Sequence, residues 1–386
     1  MNELLIISFS ELTRDPRVLR QIKLFADNGY CVTTMGHGAR PSHADEHVEL
    51  TASVKTTTQQ RMLVAAELLS RPADKRYPLW PEVRSALPWL QRNRHRFDAV
   101  FVNDLMAVPL GLAAGRPLHA DLHEYALGQS PALQWRIGVE PILRWAAPLL
   151  GRVDSTSTVA PGIAAQYLEN YGISPFVVNN APSTRHNYTP TKTATPIRLV
   201  HMGVANPVRS LEMPIMAAIE ANKRHPNSVI LDYYVVPGDA AYIERLRALS
   251  QTPGSGVTLQ NPVEYDQMLP TLRNYDAAIA FFPPVTINLK HTLPNKFFEA
   301  VQARLGVITG PSPEMGPYIH EYGFGETTTD WTQEALNQTF TNLTPTKIDR
   351  WKEAAHKAAP KLGAEHQDQK WLEAIEKLTE PRGGKQ

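Results

Sequence analysis

The chain has 386 residues, 42% of them apolar and 20% charged, with 39 Lys and Arg against 38 Asp and Glu. Such a length suggests two domains rather than one α/β core. The composition excludes a disordered chain, and the balanced charge gives no overall pull toward nucleic acid. The single cysteine, Cys31, cannot form an internal disulfide, which fits a reducing, cytoplasmic compartment, and it is expected as a small core residue. No basic segment precedes the short apolar run Leu4 to Phe9, so no signal peptide is expected, and no stretch approaches the ~20 apolar residues of a membrane span.

Glu3 to Phe9 is a continuous apolar run, the pattern of a buried parallel strand. Asp15-Pro16 then opens a helix, with Asp as N-cap and Pro in the first turn. Val18, Ile22 and Phe25 form its apolar face, Gly29 stops it, and Tyr30 to Met35 is a second strand. This β-α-β unit is parallel and right-handed. The rhythm continues with strands at Asp98 to Val102, Leu118 to Leu122, Val153 to Val159 and Phe176 to Val178, and helices at Met106 to Ala114 and Pro161 to Tyr171. The Thr- and Pro-rich stretch 181–196 marks a domain boundary.

A second α/β series follows. Strands are predicted at Ile197 to Met202, Val229 to Val236, Val257 to Leu259, Asp276 to Phe282 and Gly306 to Thr309. Helices are predicted at Leu211 to Lys223, Tyr242 to Leu249 and Asn295 to Ala303, and a charged helical segment from Trp351 to Leu378 ends the chain, with Trp371, Ile375 and Leu378 as its stripe. The predicted domains are 1–182 and 197–364, joined by a linker at 183–196 and followed by a C-terminal helix and tail at 365–386. Two doubly wound halves predict a cleft with ligands at the carboxyl ends of the strands.

Several chemistries are not encoded. Gly36-His37-Gly38 follows the second strand and runs into Pro41, so it is no dinucleotide fingerprint, and neither a P-loop nor a Gly-x-Ser-x-Gly elbow occurs. His123-Glu124 and His320-Glu321 lack the second His of a zinc helix, and Asp-x-Asp is absent. His119, Asp121 and His123 share one face of a strand, which suits either a metal triad or a strand end that presents His123 and Glu124.

Four segments resemble one family: RDPRVLRQIKLFADNGYCVT (14–33), FVNDLMAVPLGLAAGRPLHADLHE (101–124), VAPGIAAQYLENYG followed by VVNNAP (159–182), and LPNKFFEAVQARLGVITGPSPEM (293–315) with LVHMGVANPVRSLE (199–212) upstream of it. In this order they are similar to the retaining family-4 glycosyltransferases (glycosyl transferases group 1) of the GT-B fold. The resemblance implies two Rossmann-like domains facing across a cleft, with the C-terminal helix crossing back to the N-domain. It implies a nucleotide-sugar donor, transfer with retention of anomeric configuration, and a glycan or lipid-linked acceptor, in cell-surface polysaccharide or glycolipid synthesis. No cofactor or metal is called for.

The resemblance also assigns residues. Arg209, after Gly203, matches the family's phosphate-binding cation, and a guanidinium can hold two phosphate oxygens at once. Lys296 opens a helix whose amides already favour an anion, or is a surface charge. Glu299 matches the carboxylate that takes the ribose hydroxyls. Val263, Leu293, Pro294 and Asn295 complete the donor side. His123 matches a cleft histidine beside the reacting sugar. Arg14, Asp15, Asn103, Asp104 and Glu124 border the acceptor side, although Asp15 and Asp104 suit helix caps equally well. The family often has a Glu eight residues before Glu299; here it is His291, which can still bond a sugar hydroxyl.

Residues 61–96 carry eight Lys and Arg against three acids, with the apolar run Met62 to Leu69 and with Trp80 and Trp89 close by. They read either as a dock on anionic lipid, hinted at again by Trp135 and Trp145, or as a solvated helix pair. The competing functional readings are a sugar-nucleotide epimerase of the same architecture and a non-catalytic sugar-nucleotide or glycan-binding protein.

Overall fold

A computed structural model describes residues 2–50, 71–128 and 133–380. Contacts divide the chain into two compact units. One runs to Val178 and resumes at Gln367; the other spans Asn179–His366.

The first unit is built on seven strands: β1 (Glu3–Glu11), β2 (Cys31–His37), β3 (Glu46–Glu49), β4 (Ala99–Asn103), β5 (Leu118–Leu122), β6 (Ser155–Thr158) and β7 (Phe176–Val177). They pair in parallel in the order β3-β2-β1-β4-β5-β6-β7. Leu4 to Ile7 and Ala99 to Val102 are wholly buried, as expected of central strands covered on both faces. The helix Pro16–Asp27 packs Val18, Ile22 and Phe25 into the same core, and the chain turns back through Gly29 at φ +82°. β3 escapes hydrophobic patterning because Glu46-His47-Val48-Glu49 is a short polar edge strand. Cys31 opens β2 half-buried rather than inside the core.

The second unit carries six parallel strands: β8 (Ile197–Val204), β9 (Val229–Val236), β10 (Val257–Gln260), β11 (Ala277–Ala280), β12 (Gly306–Thr309) and β13 (Gly325–Thr327), ordered β10-β9-β8-β11-β12-β13. Its core gathers Leu199, Leu231, Ile279 and Ile308 with Ile215 and Ala218 of the helix Glu212–Arg224.

Two expectations change. The C-terminal segment is two helices, Pro345–Ala358 and Glu365–Thr379, because Pro360 and Gly363 interrupt it. The first belongs to the second unit, whereas Trp371, Leu372 and Ile375 of the last one enter the core of the first. The Thr/Pro stretch is tied down along its length within the second unit. The Thr184 amide and hydroxyl donate to Glu365, the Arg185 amide to Gln302, and the Thr193 amide to Asp349. Buried Arg304 donates to the carbonyls of Arg185 and Tyr188, and Lys352 joins Thr191 to the buried Asp276 carboxylate at 2.9 Å. Polar composition marks this stretch as a surface path without saying which unit holds it.

Candidate functional site

In the second sheet the strand order reverses at β8, so the carboxyl ends of β8 and β11 form a switch point, the place where doubly wound sheets bind ligands. His201 lies on β8, only 3% exposed, with Nδ1 3.0 Å from the Ile279 carbonyl on β11. A carbonyl can only accept, so Nδ1 carries the proton and Nε2 is a bare lone pair. That atom is buried without a hydrogen-bond partner. Burial holds the imidazole's pKa down to about 4, against the pull of the carbonyl, and the charges of Arg209 and Lys296 add to the depression.

Gly203 follows. A Cβ there would lie 3.2 Å from His201 Nε2 and 3.3 Å from Arg209 Nη1, so the missing side chain lets imidazole and guanidinium crowd one spot. Arg209 closes the short turn Pro207–Arg209, set by Asn206, whose side chain accepts from the Val208 amide. Its guanidinium lies 5.8 Å from the ring centre of Phe282, just past β11.

The helix Asn295–Gln302 starts at Pro294, which offers no side-chain cap to the first free amides. Lys296 Nζ stands 3.1 Å from Glu299 Oε2 and 2.9 Å from Met268 Sδ. Lys296 and Glu299 form an ion pair on the buried Oε2 of the carboxylate. Burial raises the Glu299 pKa, with Lys296 pulling the other way. Two cations, a buried carboxylate paired with one of them and a neutral imidazole therefore meet at one sheet edge, an arrangement suited to a phosphate ester carrying a diol. Leu293 is buried beneath this helix start, and Val263 is half-buried in the loop after β10. His291, just past the helix Ile287–Lys290, places Nδ1 2.8 Å from Glu314 Oε1.

The first sheet has its own switch point between β1 and β4. Arg14 is exposed there, 3.6 Å from Glu11. The Asp15 carboxylate is spent as a helix cap, accepting from the Arg17 and Val18 amides. Asp104 makes no cap. It sits at φ +68°, and its Oδ1 accepts from the His123 amide at 3.1 Å. Such a φ in a non-glycine residue is strained backbone of the kind that collects at functional sites. His123 Nε2 lies 2.9 Å from Asn103 Oδ1 and 3.3 Å from Asp121 Oδ2, and Nδ1 lies 3.7 Å from Asp104. Burial alone would lower its pKa, but Asp104 and Asp121 outweigh it and raise the imidazole to about 9. His123 is thus an imidazolium at neutral pH. The Glu124 side chain is exposed, and its carbonyl accepts from the Tyr167 hydroxyl.

Asp121 is the hub beneath. Wholly buried, it accepts two bonds from Arg17, at 2.6 and 2.8 Å, one from Gln21 and one from the Ser157 hydroxyl. Although burial pushes its carboxyl up, Arg17 and His123 hold it well below the usual range. The Ser157 proton goes to Asp121, so its oxygen accepts from the Trp371 indole at 2.9 Å and from His119 Nε2 at 2.9 Å. Among the described residues, no group of three His, Cys, Asp or Glu side chains is placed to hold a metal ion. Nothing in the sequence marks Arg17, Ser157 or His201, because each lies inside a helix or strand pattern and finds its partner across the fold.

Of the basic stretch 61–96, residues 61–70, with the run Met62 to Leu69, lie outside the described residues. In the remainder, Trp89 packs on Phe97 and Trp145 on Tyr77, while Leu79 and Ile137 are exposed. No described helix is long and apolar enough to cross a membrane.

No protein-family profile and no curated protein matches the chain. Solved structures do. Sucrose-phosphate synthase from Thermosynechococcus elongatus covers 98% of this chain and 99% of its own, at 12% identity and a TM-score of 0.71. HepE from Anabaena, solved with UDP and glucose, covers 98% and 100%, at 14% identity and a TM-score of 0.70. A TarM variant from S. aureus, solved with fondaparinux, alpha-GlcNAc-glycerol and UDP, covers 99% and 100%, at 9% identity and a TM-score of 0.70. At such identities the likeness is one of architecture, and with two parallel sheets of Rossmann strand order the chain has the GT-B fold.

Proposed function

We propose that this chain is a glycosyltransferase that moves a sugar from a nucleoside diphosphate sugar to a glycan or lipid-linked acceptor, with retention at the anomeric carbon, in the synthesis of a cell-surface polysaccharide or glycolipid. The observation that carries this reading is the meeting of Arg209, Lys296, Glu299 and neutral His201 at the switch point of the second sheet. The fold supports it, since solved instances of it hold UDP.

Arg209 takes the diphosphate as a fork, and Lys296 with the uncapped helix start adds charge and amide donors. Glu299, the buried carboxylate that Lys296 pairs, accepts from the ribose hydroxyls. As the sugar–oxygen bond breaks, negative charge builds on the diphosphate, and fixed cations lower that barrier. The departing phosphate oxygen takes the acceptor's proton on the same face of the sugar. Arg209 and Lys296 supply the charge that a metal would, so transfer is expected to survive chelation. His123, held as a cation by Asp104 and Asp121, serves the acceptor side with Asn103. The exposed Leu79 among Arg71, Lys75 and Arg84 suits contact with anionic lipid, which cosedimentation with anionic vesicles tests.

The test is thermal stabilisation by a panel of sugar nucleotides, repeated on Arg209→Ala and Glu299→Ala, since a ligand stabilises in proportion to its binding to the folded state. A shift with one donor that both variants lose, followed by transfer with the donor's anomeric configuration kept, supports the reading. No shift with any donor in the folded protein counts against it.

A further inference from the structure

Besides Glu299, a second shielded carboxylate stands at the same sheet edge. Glu314 follows β12 and precedes the helix Met315–Tyr322, with a side chain only 5% exposed. The turn is set by Ser312, whose hydroxyl oxygen accepts from the amides of Glu314 and Met315. The carboxylate meets His291, which leaves the loop after β11, the neighbouring strand. The pair thus joins two adjacent loops on the β12 side of the switch point, while Arg209 follows β8 on the other side.

The chemistry of the pair has a direction. An ionised carboxylate only accepts, so Nδ1 of His291 carries the proton and donates to Glu314. Nε2 is left with a lone pair, and among the described residues it makes no hydrogen bond. A ring without such an orienting partner would exchange tautomers and turn about its bond; here both are fixed, as when a carboxylate orients a ligating histidine. If the diphosphate lies on Arg209 and Lys296, the group attached to it extends along the loops after β11 and β12. We propose that Glu314 is a positioning residue for His291, fixing Nε2 as the acceptor for one hydroxyl of the transferred sugar, and that the pair thereby selects among donor sugars. This rests on the donor-site reading above.

The experiment measures the affinity of the intact protein for UDP, GDP and ADP, and kcat/KM with the matching hexose nucleotides and their monodeoxy forms. The proteins are the unaltered chain, His291→Ala, Glu314→Gln, Glu314→Ala and the double alanine variant. Nucleoside diphosphate affinity should hold in all. His291→Ala and Glu314→Ala should each lower kcat/KM about tenfold, the size of one lost hydrogen bond, and the double variant no further. Glu314→Gln, which keeps an acceptor oxygen, should lose less than Glu314→Ala. One deoxy donor should be penalised by the unaltered protein and not by His291→Ala. Equal handling of all donors by every variant, or additive losses in the double variant, overturns the inference while leaving the donor site standing. Failure of the unaltered protein to bind any of the three diphosphates overturns the donor-site reading itself. If Glu314→Ala does not fold, Glu314→Gln and the deoxy donors on His291→Ala decide.

Discussion

The indole N–H of Trp371 donates to the Ser157 hydroxyl at 2.9 Å, so the last helix of the chain is bonded to β6 of the first sheet, 214 residues earlier. Arg17 and Arg20 lie over the same indole at 4.6 and 4.8 Å, and Arg17 also carries Asp121. Trp371→Ala should cost about 3–5 kcal/mol of stability in the first unit through the cavity it leaves. Trp371→Phe keeps most of the volume but leaves a gap and drops the donor, so it should cost less. Urea unfolding followed by hydrogen exchange in β4 to β6 measures both. Equal, small effects would mean that the helix is only loosely attached.

Asp121→Asn should be at least as damaging. It leaves the Arg17 guanidinium buried without its counter-charge, and breaking a buried pair costs about 3–5 kcal/mol. It also removes one of the two carboxylates that hold His123 protonated, so the His123 pKa should fall from about 9. NMR titration of the imidazole checks this, and an unchanged value would assign the shift to Asp104 alone.

Much of this framework is legible in the sequence for one reason: a parallel strand covered on both faces must be apolar throughout. Leu4 to Ile7 and Ala99 to Val102 therefore announce themselves, and Asp15-Pro16 and Gly29 bound the first helix by local chemistry alone. What escapes is long-range polar pairing. Arg17 reads as an ordinary helix charge because its partner is 104 residues away, and Glu314 as a loop acid because His291 lies 23 residues back. His201 reads as an interruption of an apolar run until the Ile279 carbonyl shows which nitrogen is protonated.

Stability should depend on pH through His119 and His201, both held down to about 4 chiefly by burial. Between pH 6.5 and 4 the unfolded chain binds their protons and the folded chain does not, so their contribution is full above 6.5 and is lost as pH falls toward 4. Each unit of pKa separation is worth about 1.4 kcal/mol. His123 has the opposite sign: its contribution is full below 6.5 and is lost as pH rises through about 9. Urea midpoints across pH 4–9 should give a maximum near neutrality. His201→Asn should flatten the acid limb, and an unchanged acid limb would show that His201 binds its proton equally in both states.

Glu299 and Arg209 should fail in different ways. Arg209→Ala removes a charge-assisted fork, so nucleoside diphosphate affinity should fall about tenfold to a hundredfold and lose part of its salt dependence. Arg209→Lys restores charge without the fork and should recover only part of the loss. Glu299→Ala should leave the salt dependence alone and instead erase the preference for a ribose over a deoxyribose diphosphate. Calorimetry at two salt concentrations separates the two patterns, and a change in salt dependence with Glu299→Ala would count against its ribose role.

Gly203→Ala tests the junction of these groups. The new methyl carbon would sit 3.2 Å from His201 Nε2 and 3.3 Å from Arg209 Nη1, tighter than an ordinary contact. Both neighbours are side-chain ends rather than backbone. His201 is fixed by its bond to the Ile279 carbonyl, so the guanidinium is the group that gives way. The fold should therefore survive with little change in Tm, while nucleoside diphosphate affinity falls about tenfold. Because the methyl acts by displacing Arg209, adding it to Arg209→Ala should cost nothing further, the non-additivity expected of touching residues. A large drop in Tm would mean that the methyl strains the sheet instead. Additive losses of affinity would mean that Gly203 meets the ligand with its own backbone, independently of Arg209.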